Sequence, residues 1–112
     1  MSLVREGEWV YMLREGMIGD FNRRAENEKP DLSEADLHMV DMRKANLKQA
    51  NLRGAYLRNA DMRALDLSQA DMDGASIHDA NISGVLFPRD LPAREILLSV
   101  SHGTRMRVHG RT

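Results

Sequence analysis

The sequence of this 112-residue chain predicts an all-β solenoid of about three coils, with a helical segment at each end. Two observations in residues 30–88 predict the solenoid. A large apolar residue returns at every fifth position, which we call i, and a small apolar residue stands two positions earlier, at i−2. Internal repetition of this kind is typical of proteins that stack one structural unit on the next.

The two columns run through twelve repeats. The i column is Leu32, Leu37, Met42, Leu47, Leu52, Leu57, Met62, Leu67, Met72, Ile77, Ile82 and Phe87. The i−2 column is Pro30, Ala35, Val40, Ala45, Ala50, Ala55, Ala60, Leu65, Ala70, Ala75, Ala80 and Val85. In an α-helix a period of five would rotate successive apolar residues by about 140°, and in a straight strand it would put them on opposite faces. The chain must therefore turn once per repeat, which buries i and i−2 and leaves the other three positions in water.

The repeat units themselves resemble a known family. Ala35-Asp36-Leu37, Ala45-Asn46-Leu47 and Ala70-Asp71-Met72 are examples of a tandem Ala-(Asp/Asn)-Leu-X-X pattern that resembles the pentapeptide-repeat family. The resemblance implies a right-handed quadrilateral β-helix with four pentapeptides per coil. It implies little about function, because the family includes gyrase-binding DNA mimics, secreted effectors and developmental regulators.

Changes in composition divide the chain into four parts. We expect an N-terminal helical cap in residues 1–29, the solenoid in 30–88, a C-terminal helix in 89–103 and a basic tail in 104–112. Caps are needed because the end coils of a solenoid expose apolar side chains and unpaired backbone groups.

The N-terminal cap is predicted to contain two short helices. Its core is predicted by three apolar residues at helical spacing, Trp9, Leu13 and Met17. A break is expected at Gly16, and Asp20 is expected to N-cap a second helix over residues 21–28.

The C-terminal helix is predicted to begin after Asp90 as N-cap and to end before Gly103. One face, predicted to cover the last coil, consists of Ala93, Ile96, Leu97 and Val100. Leu91 and Leu98 fall on nearly the opposite side, and they are candidates for a two-fold homodimer contact. In the alternative, Leu98 stays partly exposed or contacts the tail. The tail itself either pairs as an edge strand or is disordered.

With four repeats per coil, residues 20 apart stack on one face. One such face, which we call the Tyr56 face, carries His38, Met39, Tyr56, Arg58 and His78, and it is the first candidate for binding a partner. Arg43 and Arg63 stand on the next face. Together with Lys48, Arg53 and Arg58 they form a basic belt around the body. The belt is interpreted either as part of a charge-mixed surface or, at Arg43, Arg58 and Arg63, as a patch that binds an acidic partner.

The outward position i−1 is mostly Asp or Asn, which favours tight turns because these side chains bond to nearby backbone. Tyr56, Ser76 and Leu86 interrupt this column.

Catalysis, metals and cofactors have little support in the sequence. His38 and His78 lie two coils apart, about 10 Å, which is too far for one shared ion. No phosphate-binding loop or catalytic motif is present. We therefore expect a protein that is not an enzyme and has no catalytic residue, metal or cofactor.

Composition limits the cellular location and the classes of partner that we expect. The net charge of −1 gives no attraction to nucleic acid or membranes, and cysteine is absent. No apolar run approaches the roughly 20 residues of a membrane span, and the first residues lack the pattern of a signal peptide. A cytoplasmic protein that does not bind nucleic acid directly is the expectation.

Two functional classes remain at this stage. The first is a non-catalytic module that binds a partner protein. The alternative, implied by the resemblance, is a DNA mimic that binds DNA gyrase or another nucleic-acid-binding protein. Residues 30–88 hold nine acidic and six basic residues, and a basic centre fits poorly with imitation of a duplex that carries one negative charge per about 1.7 Å.

Overall fold

The computed structural model describes residues 7–109. Two helices, α1 (Glu8–Arg14) and α2 (Ile18–Ala25), precede the repeats, and α3 (Ala93–His102) follows them. The helical segments predicted at both ends are therefore confirmed. Residues 1–6 of the predicted cap and 110–112 of the predicted tail lie outside the described residues.

The repeats form a quadrilateral coil. Parallel bridges pair residues that are 20 apart, as in Asp36 with Tyr56 and Tyr56 with Ser76, which confirms four repeats per coil. In residues 7–109 these bridges are isolated rather than part of extended strands, because each face of a coil contributes only a very short segment before the chain turns. We number the four faces in chain order. The first face carries the repeats centred on Leu32, Leu52 and Met72, and the second carries those centred on Leu37, Leu57 and Ile77. The third face carries the repeats centred on Met42, Met62 and Ile82, and the fourth carries those centred on Leu47, Leu67 and Phe87.

The predicted core is confirmed for most of its length. From Leu32 to Ile77 every i residue is at most 1% exposed, and the alanines at i−2 pack beside them. Ile82 and Phe87, in the last coil, are only partly buried. The apolar column therefore loses its cover at one end of the solenoid.

Tight turns connect the faces. In each, the N–H of the residue three positions after i donates to the carbonyl of i, as Ala35 does to Leu32 at 3.2 Å. Many residues at i+2 have positive φ, among them Met39 (62°), Ala64 (61°) and Gly84 (72°), which is the conformation that a type II turn requires. Every Asp or Asn at i−1 accepts the N–H two residues later through its side chain, so the predicted turn role of this column is confirmed.

The N-terminal cap packs two aromatic rings above the first coil. Trp9 meets Phe21 edge to face, with ring centroids 5.1 Å apart, and Leu13 is buried beside them as predicted. Met17 is exposed instead of buried, because the chain turns at Gly16 (φ 72°) and leaves the helical stripe. The N-cap prediction for Asp20 is wrong: α2 begins at Ile18, and Asp20 lies in its first turn, paired with Arg23.

The cap also supplies hydrogen-bond partners for backbone groups at the N-terminal edge of the first coil. Asn22 donates its side-chain amide to the carbonyl of Lys44 at 2.9 Å and accepts the N–H of Asn46 at 2.7 Å. The Asn22 side chain thus supplies the acceptor that a preceding coil would have offered to the Asn46 N–H, and it adds a second bond at Lys44.

The C-terminal helix differs from its prediction in start and orientation. Its N-cap is Pro92 rather than Asp90, whereas Gly103 ends it in the left-handed conformation as predicted. The side facing the solenoid buries Glu95 and Ser99, with Ile96 and Val100 partly buried, while Ala93 and Leu97 are exposed.

The predicted apolar pair for a homodimer is not present as a pair. Leu98 is 40% exposed, but Leu91 is only 5% exposed and belongs to the core. Leu91 precedes Pro92, so the helical spacing that placed it beside Leu98 does not apply to it.

The tail lies against the first face of the last coil, which confirms the edge-pairing alternative for residues 104–109. Met106 accepts the N–H of Gly74 at 2.7 Å and donates its own N–H to the carbonyl of Ala75 at 2.8 Å. Met106 and Val108 are buried, while the arginines that alternate with them are exposed. The Arg107 backbone N–H donates to Glu95 Oε1 at 2.8 Å, which ties the tail to α3.

Candidate interaction face

The Tyr56 face is the second face of the solenoid, and the caps contribute side chains at both of its ends. At the N-terminal end, Arg14 of α1 donates to the carbonyl of Asp36 at 2.7 Å. His38 Nδ1 lies 2.8 Å from Asp36 Oδ1 and 3.1 Å from Arg14 Nη2. Chiefly through the hydrogen bond from His38, the pKa of Asp36 is held below its usual value. His38 is therefore fixed in a cluster with one cation and one carboxylate.

In the middle coil, Tyr56 forms the centre of the face. The guanidinium of Arg105, from the tail, lies 4.7 Å above the Tyr56 ring centroid and also hydrogen-bonds to its hydroxyl group. Arg105 is held there by a second bond to the carbonyl of Gly74 at 3.0 Å. One side of the ring is thus covered by a cation, yet 43% of the residue stays exposed.

Between these two groups the surface forms a shallow depression of about 600 Å³. It is lined by Glu34, Asp36, His38, Met39, Tyr56, Arg58 and Asn59. The structure therefore brings together four of the five residues predicted for the Tyr56 face.

Met39 and Arg58 are two exposed side chains of this depression. Met39 is 71% exposed, and its φ of 62° is a conformation that a long side chain rarely adopts. Arg58 is exposed and makes no ion pair with any of residues 7–109. The depression thus offers an apolar contact and a guanidinium side by side.

His78 is not part of the depression. It packs against Gly103 at the end of α3, and its Nε2 lies 3.6 Å from Asp79 Oδ2. Its side chain is only about a third exposed, so the C-terminal cap covers much of it.

Arg43 and Arg63 lie on the third face, where aspartates neutralise them. Arg43 Nη2 is 2.8 Å from Asp41 and its Nε is 3.3 Å from Asp61 in the next coil, while Arg63 is 2.7 Å from Asp61. The hydrogen bond from Arg43 lowers the pKa of Asp41 to about 2. The hydrogen bond from Arg63 likewise holds the pKa of Asp61 below its usual range.

The remaining members of the basic belt behave in the same way. Lys48 lies 3.8 Å from Asp66, and Arg53 lies 3.2 Å from Asp71. Arg58 is therefore the exception in the belt, since the other four basic side chains each face an aspartate. This arrangement supports the charge-mixed interpretation of the belt outside the Tyr56 face.

Sequence reasoning missed the residues that the caps bring to the face, namely Arg14 and Arg105. Both lie outside the repeats, so the spacing of 20 that sorts residues onto faces says nothing about them. The alternation of basic and apolar residues in the tail left edge pairing and disorder as alternatives, and it did not indicate where along the coil Arg105 would lie.

Within residues 7–109, no group of three or more His, Cys, Asp or Glu side chains is arranged to hold a metal ion. No helix in the same residues has the length and apolar character needed to cross a membrane.

The fold and its surface define a repeat solenoid whose side chains present a mixed apolar and charged face. Residues 31–49 and 50–87 match the family profile of pentapeptide repeats, with eight copies. The match covers half of the chain, and the protein belongs to the pentapeptide-repeat family. No curated protein and no solved structure gives a significant match to it.

Proposed function

We propose that this protein is a non-catalytic interaction module that binds a partner protein through the depression on the Tyr56 face. The observation that carries the proposal is Met39, a large apolar side chain that is 71% exposed in a left-handed backbone conformation. For an L-residue this conformation costs roughly 1–2 kcal/mol relative to the right-handed one. The turn and the bond from the Met39 N–H to the Arg58 carbonyl at 2.8 Å account for this backbone conformation, so the exposure of the apolar side chain is what indicates a partner.

The neighbours of Met39 are of the types that dominate protein interfaces. Tyrosine, methionine and arginine are enriched at such interfaces, and tyrosine and arginine are frequent among the residues that contribute most to affinity. Tyr56 is held in place by Arg105, so little side-chain freedom remains to be lost on binding. Arg58 has no carboxylate partner in residues 7–109 and is free to pair with one on the partner.

The DNA-mimic alternative is less favoured by the charge distribution. A mimic of duplex DNA needs a continuous negative surface, whereas the third face alternates Asp41, Arg43, Asp61 and Arg63 in paired contacts. The Tyr56 face also carries three cations, Arg14, Arg58 and Arg105, so it does not present a continuous negative surface. A supercoiling assay with purified gyrase that showed inhibition at micromolar protein would reverse this ranking.

A homodimer through α3 stays a second proposal, with changed residues. Leu97 and Leu98 are adjacent on α3 and 67% and 40% exposed, so Leu97 replaces the buried Leu91 as the companion of Leu98. Sedimentation velocity at high micromolar concentration tests it. A Leu98→Asp variant is expected to remain monomeric where the parent protein dimerises, and a monomeric parent would remove the proposal.

The proposed function is tested by replacing Met39 with glycine. Met39→Gly removes the apolar contact and relieves the left-handed strain, so the variant should be more stable and yet bind less. The matched control is Ala64→Gly, which relieves the same strain on the third face, where no binding is proposed. Affinity capture from host extract, quantified by mass spectrometry, is expected to show one or a few proteins recovered about tenfold less with Met39→Gly and equally with Ala64→Gly.

A Tyr56→Ala, Arg58→Ala double variant gives a second measurement on the same face. It should lose the same proteins as Met39→Gly, whereas Lys48→Ala on the fourth face should retain them. Identical recovery with the parent protein and both Tyr56-face variants would overturn the proposal.

A further inference from the structure

The end of the last coil is only half covered. On the first and second faces, Met72 and Ile77 are fully buried beneath the tail and α3. On the third and fourth faces, Ile82, Val85 and Phe87 remain partly exposed, and Leu86 is 57% exposed. A strip of apolar surface therefore follows the uncovered half of the coil.

The backbone of this half is also open. In the middle coil, the N–H groups of Met62 (i) and Ala64 (i+2) donate to the last coil, to the carbonyls of Asn81 at 2.9 Å and Ser83 at 2.8 Å. The equivalent groups of the last coil on the third face, the N–H groups of Ile82 and Gly84, have no acceptor among residues 7–109. The carbonyl of Ala80 likewise accepts no hydrogen bond there. This is an unpaired sheet edge next to apolar side chains, the arrangement to which extended peptides add as an extra strand.

The covered half shows what fits such an edge. On the first face the tail supplies an extended segment in which Met106 exchanges backbone bonds with Gly74 and Ala75. Its apolar residues point inward and its arginines outward. On the second face the edge donors also find acceptors, since Ile77 N–H donates to Ser99 Oγ at 2.9 Å and Asp79 N–H donates to the Val100 carbonyl at 3.0 Å. The third face lacks any such cover from the described residues.

The geometry of the open donors fixes the chemistry of an added strand. For the middle coil, the acceptors are the carbonyls of alternate residues in the last coil, Asn81 and Ser83, and the residue between them, Ile82, packs against the core beneath Met62. An added strand must therefore present a polar, apolar, polar sequence whose central side chain packs under Ile82. Beyond the fourth face, Arg89 is exposed and forms no ion pair within residues 7–109, so an acidic side chain past the apolar position would be complementary to it.

We propose that the open edge, residues 80–87, binds an extended segment of a partner protein. The segment pairs with the N–H groups of Ile82 and Gly84 and inserts an apolar side chain beneath Ile82. It also places a carboxylate by Arg89. This surface is separate from the depression on the Tyr56 face. The two proposals can therefore fail independently.

The experiment selects peptides from a displayed library of random twelve-residue sequences, using the full chain as the target. The expected result is enrichment of sequences with a polar, apolar, polar core followed by Asp or Glu. A synthetic copy of an enriched peptide should slow hydrogen exchange at the amides of Ile82 and Gly84 by about tenfold or more, measured by NMR. Exchange at Leu57 and Asn59, whose N–H groups already donate to the carbonyls of Ser76 and His78 in the last coil, serves as the internal control.

Two surface variants complete the test. Leu86→Lys and Arg89→Glu change exposed side chains and should preserve the fold, yet each should weaken the peptide by about tenfold. Arg94→Glu, at an exposed position of α3, is the matched control and should leave binding unchanged. Four outcomes overturn the proposal: no enrichment, enriched peptides that protect only the Tyr56 face, slow exchange of Ile82 and Gly84 in the free monomer, or the same protection by a second copy of the chain.

Discussion

Ser99 of α3 provides the acceptor that a further coil would have offered to Ile77. The Ser99 hydroxyl accepts the Ile77 N–H at 2.9 Å and donates to the Thr104 carbonyl at 2.7 Å, and the residue is completely buried. One hydroxyl group therefore satisfies the Ile77 N–H at the second-face edge and holds the start of the tail.

Replacing Ser99 by alanine should destabilise the protein by about 1–3 kcal/mol, because a buried N–H and a carbonyl both lose their partner. Urea denaturation followed by circular dichroism measures the change in unfolding free energy. Ser101→Ala is the control, since that hydroxyl is exposed and bonds within its own helix at 2.9 Å. Equal losses of unfolding free energy in the two variants would mean that the bond between Ile77 and Ser99 contributes no more to stability than an exposed hydroxyl group does.

Asn22 should have a similar role at the other end. Asn22→Ala removes both bonds to the first coil, at Lys44 and Asn46, and should destabilise the protein by about 0.5–1.5 kcal/mol, because water can replace the lost partner of these exposed backbone groups. Asn27→Ala, at an exposed position just after α2, should change stability by less than about 0.5 kcal/mol. The amide of Asn46 should also exchange faster in the Asn22 variant, and an unchanged exchange rate would contradict the capping role.

The interior of the solenoid was predictable from the sequence because its period excludes every regular alternative. Each i residue from Leu32 to Ile77 is buried, and the Asp or Asn at i−1 supports the turn as expected. These features depend only on contacts within a repeat or between identical positions of stacked coils. A repeated local rule can be read directly from a repeated sequence.

The caps were harder to predict because they cover a surface of a different chemical kind. Apolar spacing predicted that Leu97 would face the solenoid, but the end of the coil presents backbone donors as well as apolar side chains. Ser99 and Glu95 are buried there because they accept such donors, the Ile77 N–H and the Arg107 N–H. The same applies to Arg105, whose place above Tyr56 depends on the path of the tail and on no local pattern.

The third face offers a matched pair of backbone tests. Ala64 and Gly84 occupy equivalent turn positions in successive coils, with φ of 61° and 72°. Ala64→Gly should raise the unfolding free energy by about 0.5–1 kcal/mol, because relief of left-handed strain exceeds the entropy that glycine adds to the unfolded chain. Gly84→Ala should lower the unfolding free energy by a similar amount, because alanine is strained at this φ of 72°. Steric overlap adds nothing to this loss, since the added Cβ would meet Ala64 at an ordinary contact distance of 3.6 Å.

Thermal and urea unfolding of the two variants provide the measurement. The opposite signs are the essential result, because each variant controls for nonspecific effects of the other. If both substitutions destabilised the protein, packing rather than backbone conformation would determine these turns.

Stability should fall in acid, and Asp41 should contribute to the fall. The Arg43 hydrogen bond lowers the pKa of Asp41 from 3.8 to about 2, and Arg63 and His38 lower the pKa values of Asp61 and Asp36. Since the folded values lie below the unfolded ones, the stabilisation is complete above the unfolded pKa and is lost as the pH falls through the folded pKa. Urea unfolding between about pH 5 and about pH 3 should therefore show decreasing stability, with a shallower decrease in Asp41→Asn. The control Ser33→Ala leaves the aspartates charged and should show the same dependence of stability on pH as the parent protein. An identical pH dependence for the parent protein and Asp41→Asn would show that the Asp41–Arg43 pair does not contribute.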